Sequence, residues 1–187
     1  KRISTKKELI NNIELFEYPK KPVVIKAVNL NGKRGYRVIN EGTQTYQSFI
    51  NEKPSNDNIS FKQLCDLMPE KFDDFLLMEF LEGEEYSVDA FIGAKTKIAI
   101  PRKREIIRSG ISFSNTLEKD DDLINQTLDL GEALDINGVF GVQFIKNKNG
   151  ESKILECNPR IQGTMVVAAL SGANIIKMFI NELMFKV

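Results

Sequence analysis

The sequence has no histidine, no tryptophan and only two cysteines, Cys65 and Cys157, in 187 residues. Without imidazole there is no Ser-His-Asp or Cys-His mechanism, no histidine metal site and no histidine general base. Two cysteines cannot make a structural zinc site or a disulfide scaffold by themselves. No secretion signal is visible either, so a reducing cytoplasm is the expected compartment. No apolar run approaches the ~18 residues of a membrane span. Net charge is missing too, since 26 Lys+Arg balance 26 Asp+Glu; this speaks against a general nucleic-acid or anionic-membrane surface. What is present is ordinary globular composition, 42% apolar and 28% charged, without repeats or low-complexity tracts. The chain opens on Lys1 and not on Met, and is read as a fragment of a larger protein.

Two capping boxes mark helix starts. Thr5-Lys6-Lys7-Glu8 opens a helix of about three turns, and Ser60-Phe61-Lys62-Gln63 a short one ended by Pro69. Pro22 to Val28 reads as a buried strand and Tyr36 to Ile39 as its return, with the Asn- and Gly-rich turn 29–35 between. Residues 51–58 read as a polar loop. Phe75 to Phe80 is a strand, broken at Gly83. Glu85 to Ile92 then alternates, with Glu85, Ser87 and Asp89 on one face and Tyr86, Val88, Ala90 and Ile92 on the other. A turn at Gly93-Ala94-Lys95 leads into Lys97–Ile100, and Asp120 to Leu134 has helical spacing with acids at its start, where the helix dipole favours them. Two strands and two apolar helical stretches, near 164–170 and 174–185, complete the chain. Strands and helices mix without strict alternation, so the fold class is α+β in two lobes, 1–80 and 81–187.

The strand-like runs Val139–Lys146 and Glu151–Asn158 flank Asn149-Gly150, the strongest short hairpin signal. A two-residue turn there sets Lys148 opposite Glu151, Phe144 opposite Leu155, Gln143 opposite Glu156 and Val142 opposite Cys157. Opposed residues share a face. Val142, Phe144, Leu155 and Cys157 then form an apolar face, while Gln143, Glu156 and Asn158 present three oxygen ligands on the other, with Arg160 following. Such a set suits Mg2+, which keeps waters and takes its remaining ligands from phosphates. It equally describes the solvated face of an edge hairpin, and a one-residue slip would part Gln143 from Glu156.

Lys26 lies inside the apolar run PVVIKAV, where a lysine costs desolvation unless it meets an anion. The following turn offers backbone N–H groups at Gly32 and Gly35 and the charges of Lys33 and Arg34, the makings of an anion nest. Neither a P-loop nor a dinucleotide fingerprint is present. A snorkelling edge lysine beside an ordinary turn is the other reading.

Four segments follow in order: the Lys26 strand, Met78-Glu79-Phe80-Leu81-Glu82-Gly83-Glu84-Glu85-Tyr86-Ser87-Val88-Asp89, Pro101-Arg102-Lys103-Arg104, and Leu155-Glu156-Cys157-Asn158-Pro159-Arg160. Together they resemble the ATP-grasp superfamily, in its branch like the carbamoyl phosphate synthase large subunit. The resemblance implies an ATP-grasp fold, two α+β lobes with a nucleotide cleft between antiparallel sheets. It implies ATP with Mg2+, or Mn2+ in its place. Lys26 would contact the ATP phosphates, and the turn bearing Gly32, Lys33, Arg34 and Gly35 would close over them. The Glu79 carbonyl and Leu81 N–H would hold adenine beside Phe80, and Glu85 the ribose. Gln143, Glu156 and Asn158 would bind the metal, Arg160 would steady the transferred phosphate, and Arg102 and Arg104 would face the reaction centre. The implied activity is a ligase that converts a carboxylate to an acyl phosphate for attack by an amine or similar nucleophile.

The implied partners are a small-molecule carboxylate and an amine, and an upstream domain of the same protein that is missing here; a homo-oligomer is left open by the sequence, and nucleic acid and membrane are not among the partners. A non-catalytic ATP-binding module of a larger protein is the alternative, and a plain scaffold domain a third. Cys65 and Cys157 read as packing residues, Asp120-Asp121-Asp122 as a helix start, and Met165, Met178 and Met184 as core. Gly163-Thr164 reads either as part of the cleft or as a helix cap.

Overall fold

The structure, a computed structural model, describes residues 1–30, 35–40, 57–108 and 110–185. Gly32, Lys33 and Arg34, with residues 51–56 of the expected polar loop, lie outside the described residues. The chain divides into two compact units, Lys1–Phe80 and Leu81–Val187.

The first unit contains β1 (Arg2–Thr5), α1 (Lys6–Ile13), β2 (Val23–Ala27), β3 (Tyr36–Ile39), β4 (Asn58–Ile59), α2 (Phe61–Leu67) and β5 (Lys71–Glu79). Its sheet runs β1-β5-β2-β3-β4, with β3 and β4 parallel and the other pairings antiparallel. Both capping boxes close reciprocally, Thr5 with Glu8 and Ser60 with Gln63. Leu9, Ile13 and Leu64 from the helices pack on Val23, Ile25, Ile39 and Leu77 from the sheet. β5 begins at Lys71, earlier than the expected Phe75, because β1 pairs along its first half and holds those polar residues in the sheet.

The second unit contains β6 (Glu84–Ile92), β7 (Lys97–Arg108), β8 (Ile111–Leu117), α3 (Asp121–Ala133), β9 (Gly138–Lys146), β10 (Ser152–Asn158), α4 (Val166–Leu170) and α5 (Ile175–Phe185). Its five strands run β10-β9-β6-β7-β8, all antiparallel. On one face Tyr86, Val88, Ala90, Phe140, Val142 and Phe144 cluster with Leu123 of α3. On the other, Phe91 and Val139 meet Met165, Ala168 and Ile175. β6 is therefore covered on both sides, and Ser87 and Asp89 are as buried as Tyr86 and Val88. Its alternation reflects two kinds of cover, not a wet face and a dry one. β7 continues well past Ile100 through the basic segment and returns as β8, which had no apolar pattern to mark it. Asp120 caps α3 by accepting from the Leu123 N–H. Met165 is core, whereas Met184, on the outer side of α5, is exposed. Among the described residues no helix is long and apolar enough to cross a membrane.

Candidate functional site

The β9–β10 hairpin turns through three residues, not two. The Asn147 N–H donates to the Glu151 carbonyl at 2.9 Å, and Gly150 takes φ +85°, which glycine adopts without the strain a Cβ would bring. Ser152 thus pairs with Lys146 and Ile154 with Phe144, one residue away from the two-residue register. A bulge at Leu155 then absorbs the difference, so that Glu156 lies opposite Gln143, Cys157 opposite Val142 and Asn158 opposite Gly141. The two departures cancel at Gln143 and Glu156. They do not cancel at Leu155, which is exposed at the bulge and does not join the apolar face. Cys157 packs against the α3-side cluster, and burial pushes its thiol up.

The sheet extends the Glu156–Gln143 row. Gln143 lies opposite Ser87, and Ser87 opposite Arg102, so four strands contribute one polar residue each to the same face. Asn158 Nδ2 donates to Glu156 Oε1 at 2.9 Å. Arg104 Nη1 donates to Glu85 Oε2 at 2.5 Å and to Gln143 Oε1 at 3.2 Å, and its Nη2 to the Gly110 carbonyl at 2.6 Å. Burial pushes the Arg104 guanidinium down, while Glu85 and Glu156 pull it back up. Arg160 is exposed and donates to Asn158 Oδ1 at 3.4 Å.

Within the second unit a cavity of about 400 Å3 has a wall that includes Arg104, Gln143, Asn158 and Arg160 together with Ser87, Ser112, Gln162 and Thr164. The structure does not bring Arg102 to that wall. Its side chain is fully buried, with Nε and Nη2 donating to the two oxygens of Asp89 at 2.7 and 2.9 Å. Asp89 is the reason: a buried carboxylate on β6 needs a buried countercharge. Burial pushes the Asp89 carboxyl up, and Arg102 pulls it down. Ser112, Gln162 and Asp89 were not singled out from sequence. Ser87 and Asp89 were visible as sharing the face of Glu85. Gln162 sits in a loop without periodicity, and its one trace was Gly141, a glycine inside a strand. A Cβ at Gly141 would lie 2.3 Å from Gln162 Nε2.

Gln143, Glu156 and Asn158 together offer one carboxylate and two amide oxygens on one sheet face. That hard-oxygen, singly charged set fits Mg2+, which completes its shell with water and phosphate, and not a soft metal. Among the described residues no group of three or more His, Cys, Asp or Glu could hold a metal, so this amide-rich set is the candidate.

In the first unit, Lys26 lies on β2 opposite Tyr36 and Leu76, half-buried. Gly35 takes φ +67°, and a Cβ there would lie 2.7 Å from that of Ala27, so the end of this turn requires glycine. Glu79 ends β5 opposite Val23. Phe80 closes the first unit and Leu81 opens the second, in the connection between β5 and β6.

Residues 71–186 match the family model described as "ATP-grasp in the biosynthetic pathway with Ter operon". Among curated proteins, the chain is 31% identical over 99 residues to a tyramine–L-glutamate ligase of Methanocaldococcus fervens, covering 50% of this chain and 33% of that protein. It is 30% identical to the protein of the same name from Methanocaldococcus jannaschii, covering 50% and 31%. The chain thus spans about a third of the length of these curated relatives. Among solved structures it resembles the biotin carboxylase domain of Hydrogenobacter thermophilus 2-oxoglutarate carboxylase, in complex with MgADP, ADP and bicarbonate. That match has a TM-score of 0.65 and 17% identity, over 95% of this chain and 40% of that one. It also resembles the Staphylococcus aureus N5-carboxyaminoimidazole synthetase complexed with ADP, at a TM-score of 0.60 and 17% identity, over 90% and 42%.

Proposed function

The chain belongs to the ATP-grasp family of the biosynthetic pathway with Ter operon, and from that premise we propose that it is the nucleotide-handling portion of an ATP- and Mg2+-dependent carboxylate–amine ligase. The observation that carries this reading is an oxygen set on one sheet face: Gln143 and Asn158 line one cavity with Arg104 and Arg160, and Glu156 lies opposite Gln143 and is bonded to Asn158. Phosphoryl transfer to a carboxylate needs positioning and charge neutralisation more than a proton shuttle, which suits a chain without histidine. Curated relatives that are ligases of an amine and an amino acid by name support an acid and an amine as substrates.

In this reading Gln143, Glu156 and Asn158 hold Mg2+, or Mn2+ in its place, which when bound supplies charge neutralisation at the phosphates. Arg160, the most exposed cation at the cavity, contacts the transferred phosphate, and Arg104 holds Gln143 and Glu85 in place. Lys26 and the turn ending at Gly35 serve the nucleotide phosphates from lobe 1–80. Glu79, Phe80 and Leu81 serve adenine, and Glu85 of lobe 81–187 serves the ribose. An upstream domain completes the acid and amine sites, and the protein works in the cytoplasm, in a homo-oligomer.

Thermal unfolding with and without millimolar ATP and Mg2+ tests this reading. Binding raises the melting temperature by mass action, and Glu156→Ala removes the Mg2+-dependent part; no shift with nucleotide contradicts it. Phosphate release from ATP with candidate acids and amines, on the full-length protein, separates a ligase from a nucleotide-binding module.

A further inference from the structure

Two side-chain nitrogens among the described residues are buried without a hydrogen-bond partner: Nε of Arg104 and Nε2 of Gln162. Both side chains belong to the wall of the same cavity. A buried donor without an acceptor is a standing cost, and two of them on side chains that line one cavity point to an acceptor-rich ligand there.

Behind that wall Arg102 is a hub. Its charge is matched by Asp89, and two further N–H groups go to two side chains that reach forward. Nη2 donates to Thr164 Oγ1 at 3.1 Å, and Nη1 to Asn115 Oδ1 at 2.8 Å. Asn115 Oδ1 also accepts from the Ser112 hydroxyl at 2.8 Å. The consequence at the cavity is a fixed polarity. A hydroxyl has one hydrogen and two lone pairs. The Thr164 oxygen is engaged by Arg102 and its hydrogen is left to donate elsewhere, whereas the Ser112 hydrogen is spent on Asn115 Oδ1 or the Ser114 carbonyl. Lysine could not replace this arrangement, because a single ammonium lacks the planar fork that serves Asp89, Asn115 and Thr164 at once.

We propose that Arg102 is a positioning residue acting through Thr164, whose hydroxyl it presents as a donor to a carboxylate in the cavity, beside Gln162 Nε2 and Arg104 Nε. This rests on the ligase reading, with the carboxylate being that of the acid substrate.

The test is calorimetric titration of acetate, succinate and L-glutamate into the full-length protein, with and without MgADP. Thr164→Val and Gln162→Leu remove no charge and each weakens binding of the tightest acid by about tenfold or more, the scale of a hydrogen bond to a charged group. MgADP affinity stays within about twofold, since only the acid's donors are lost. Thr164→Ser recovers most of the loss, a readout that simple structural damage would not produce. Arg102→Lys weakens acid binding as Thr164→Val does, and the double variant is no weaker than Arg102→Lys alone. Acid affinity unchanged in Thr164→Val, full additivity in the double variant, or no acid binding by the wild type overturns the proposal. Acid binding without any MgADP binding keeps the donor set and overturns the ligase reading instead.

Discussion

Along β6, Tyr86, Val88 and Ala90 meet α3 through hydrocarbon alone, while Ser87 and Asp89, 3% and 0% exposed, face the opposite way among arginines. Over residues 86–90 the two sides of this strand are buried to the same depth by opposite means, and from Phe91 on both sides are apolar. The apolar side needs only volume and shape. The polar side needs every partner present, because a buried carboxylate or guanidinium without its mate is far costlier than a poorly fitted leucine. Well-packed apolar residues could have covered both sides at equal or greater stability. Of this layer Ser87 and Arg104 reach the cavity, and the Asp89–Arg102 pair lies behind it.

The sharpest way to break this contrast is to unpair the polar side. Asp89→Ala leaves Arg102 buried and unmatched, and costs about 3–5 kcal/mol in chemical denaturation. Replacing both partners, Asp89→Leu with Arg102→Met, returns stability to near wild type, while acid binding is weakened as in Arg102→Lys. Phe144→Ala on the apolar side costs a similar 3–5 kcal/mol through its cavity, yet leaves the Mg2+ dependence of nucleotide binding in place below the melting temperature. Gly141→Ala crowds Gln162 from beneath and costs about 1–3 kcal/mol, with acid affinity falling alongside.

The smallest effect concerns Asp120, outside both faces. Burial pushes its carboxyl up, but Lys146 and the Leu123 and Asp122 N–H groups hold it net below the usual range. A carboxyl lowered on folding stabilises above its unfolded pKa, and that contribution fades as pH falls through the folded value. Asp120→Ala therefore costs about 1 kcal/mol at neutral pH as a lost helix cap, and the difference from wild type shrinks in thermal scans toward pH 3.

What could be read from the sequence follows how local each feature is. The capping boxes at Thr5 and Ser60 span four residues each and formed as read. Gln143 and Glu156 met because a hairpin is local, although the turn and the bulge at Leu155 each departed from the reading and cancelled; no residue type announces that bulge. The resemblance implies Arg102 at the reaction centre, whereas its attachment to Asp89 and Thr164 depends on β7 pairing with β6 and on the loop after β10, which composition does not encode. Gln162 and Ser112 reach the cavity from loop and edge positions with no periodic signal. ATP-grasp membership was legible because its motifs are short and ordered, and the family match covers residues 71–186.

The most direct measurement is titration of ADP with and without Mg2+ into the wild type and Glu156→Ala. The account predicts that Mg2+ tightens nucleotide binding in the wild type and has no effect on the variant; an equal Mg2+ effect in both would contradict it.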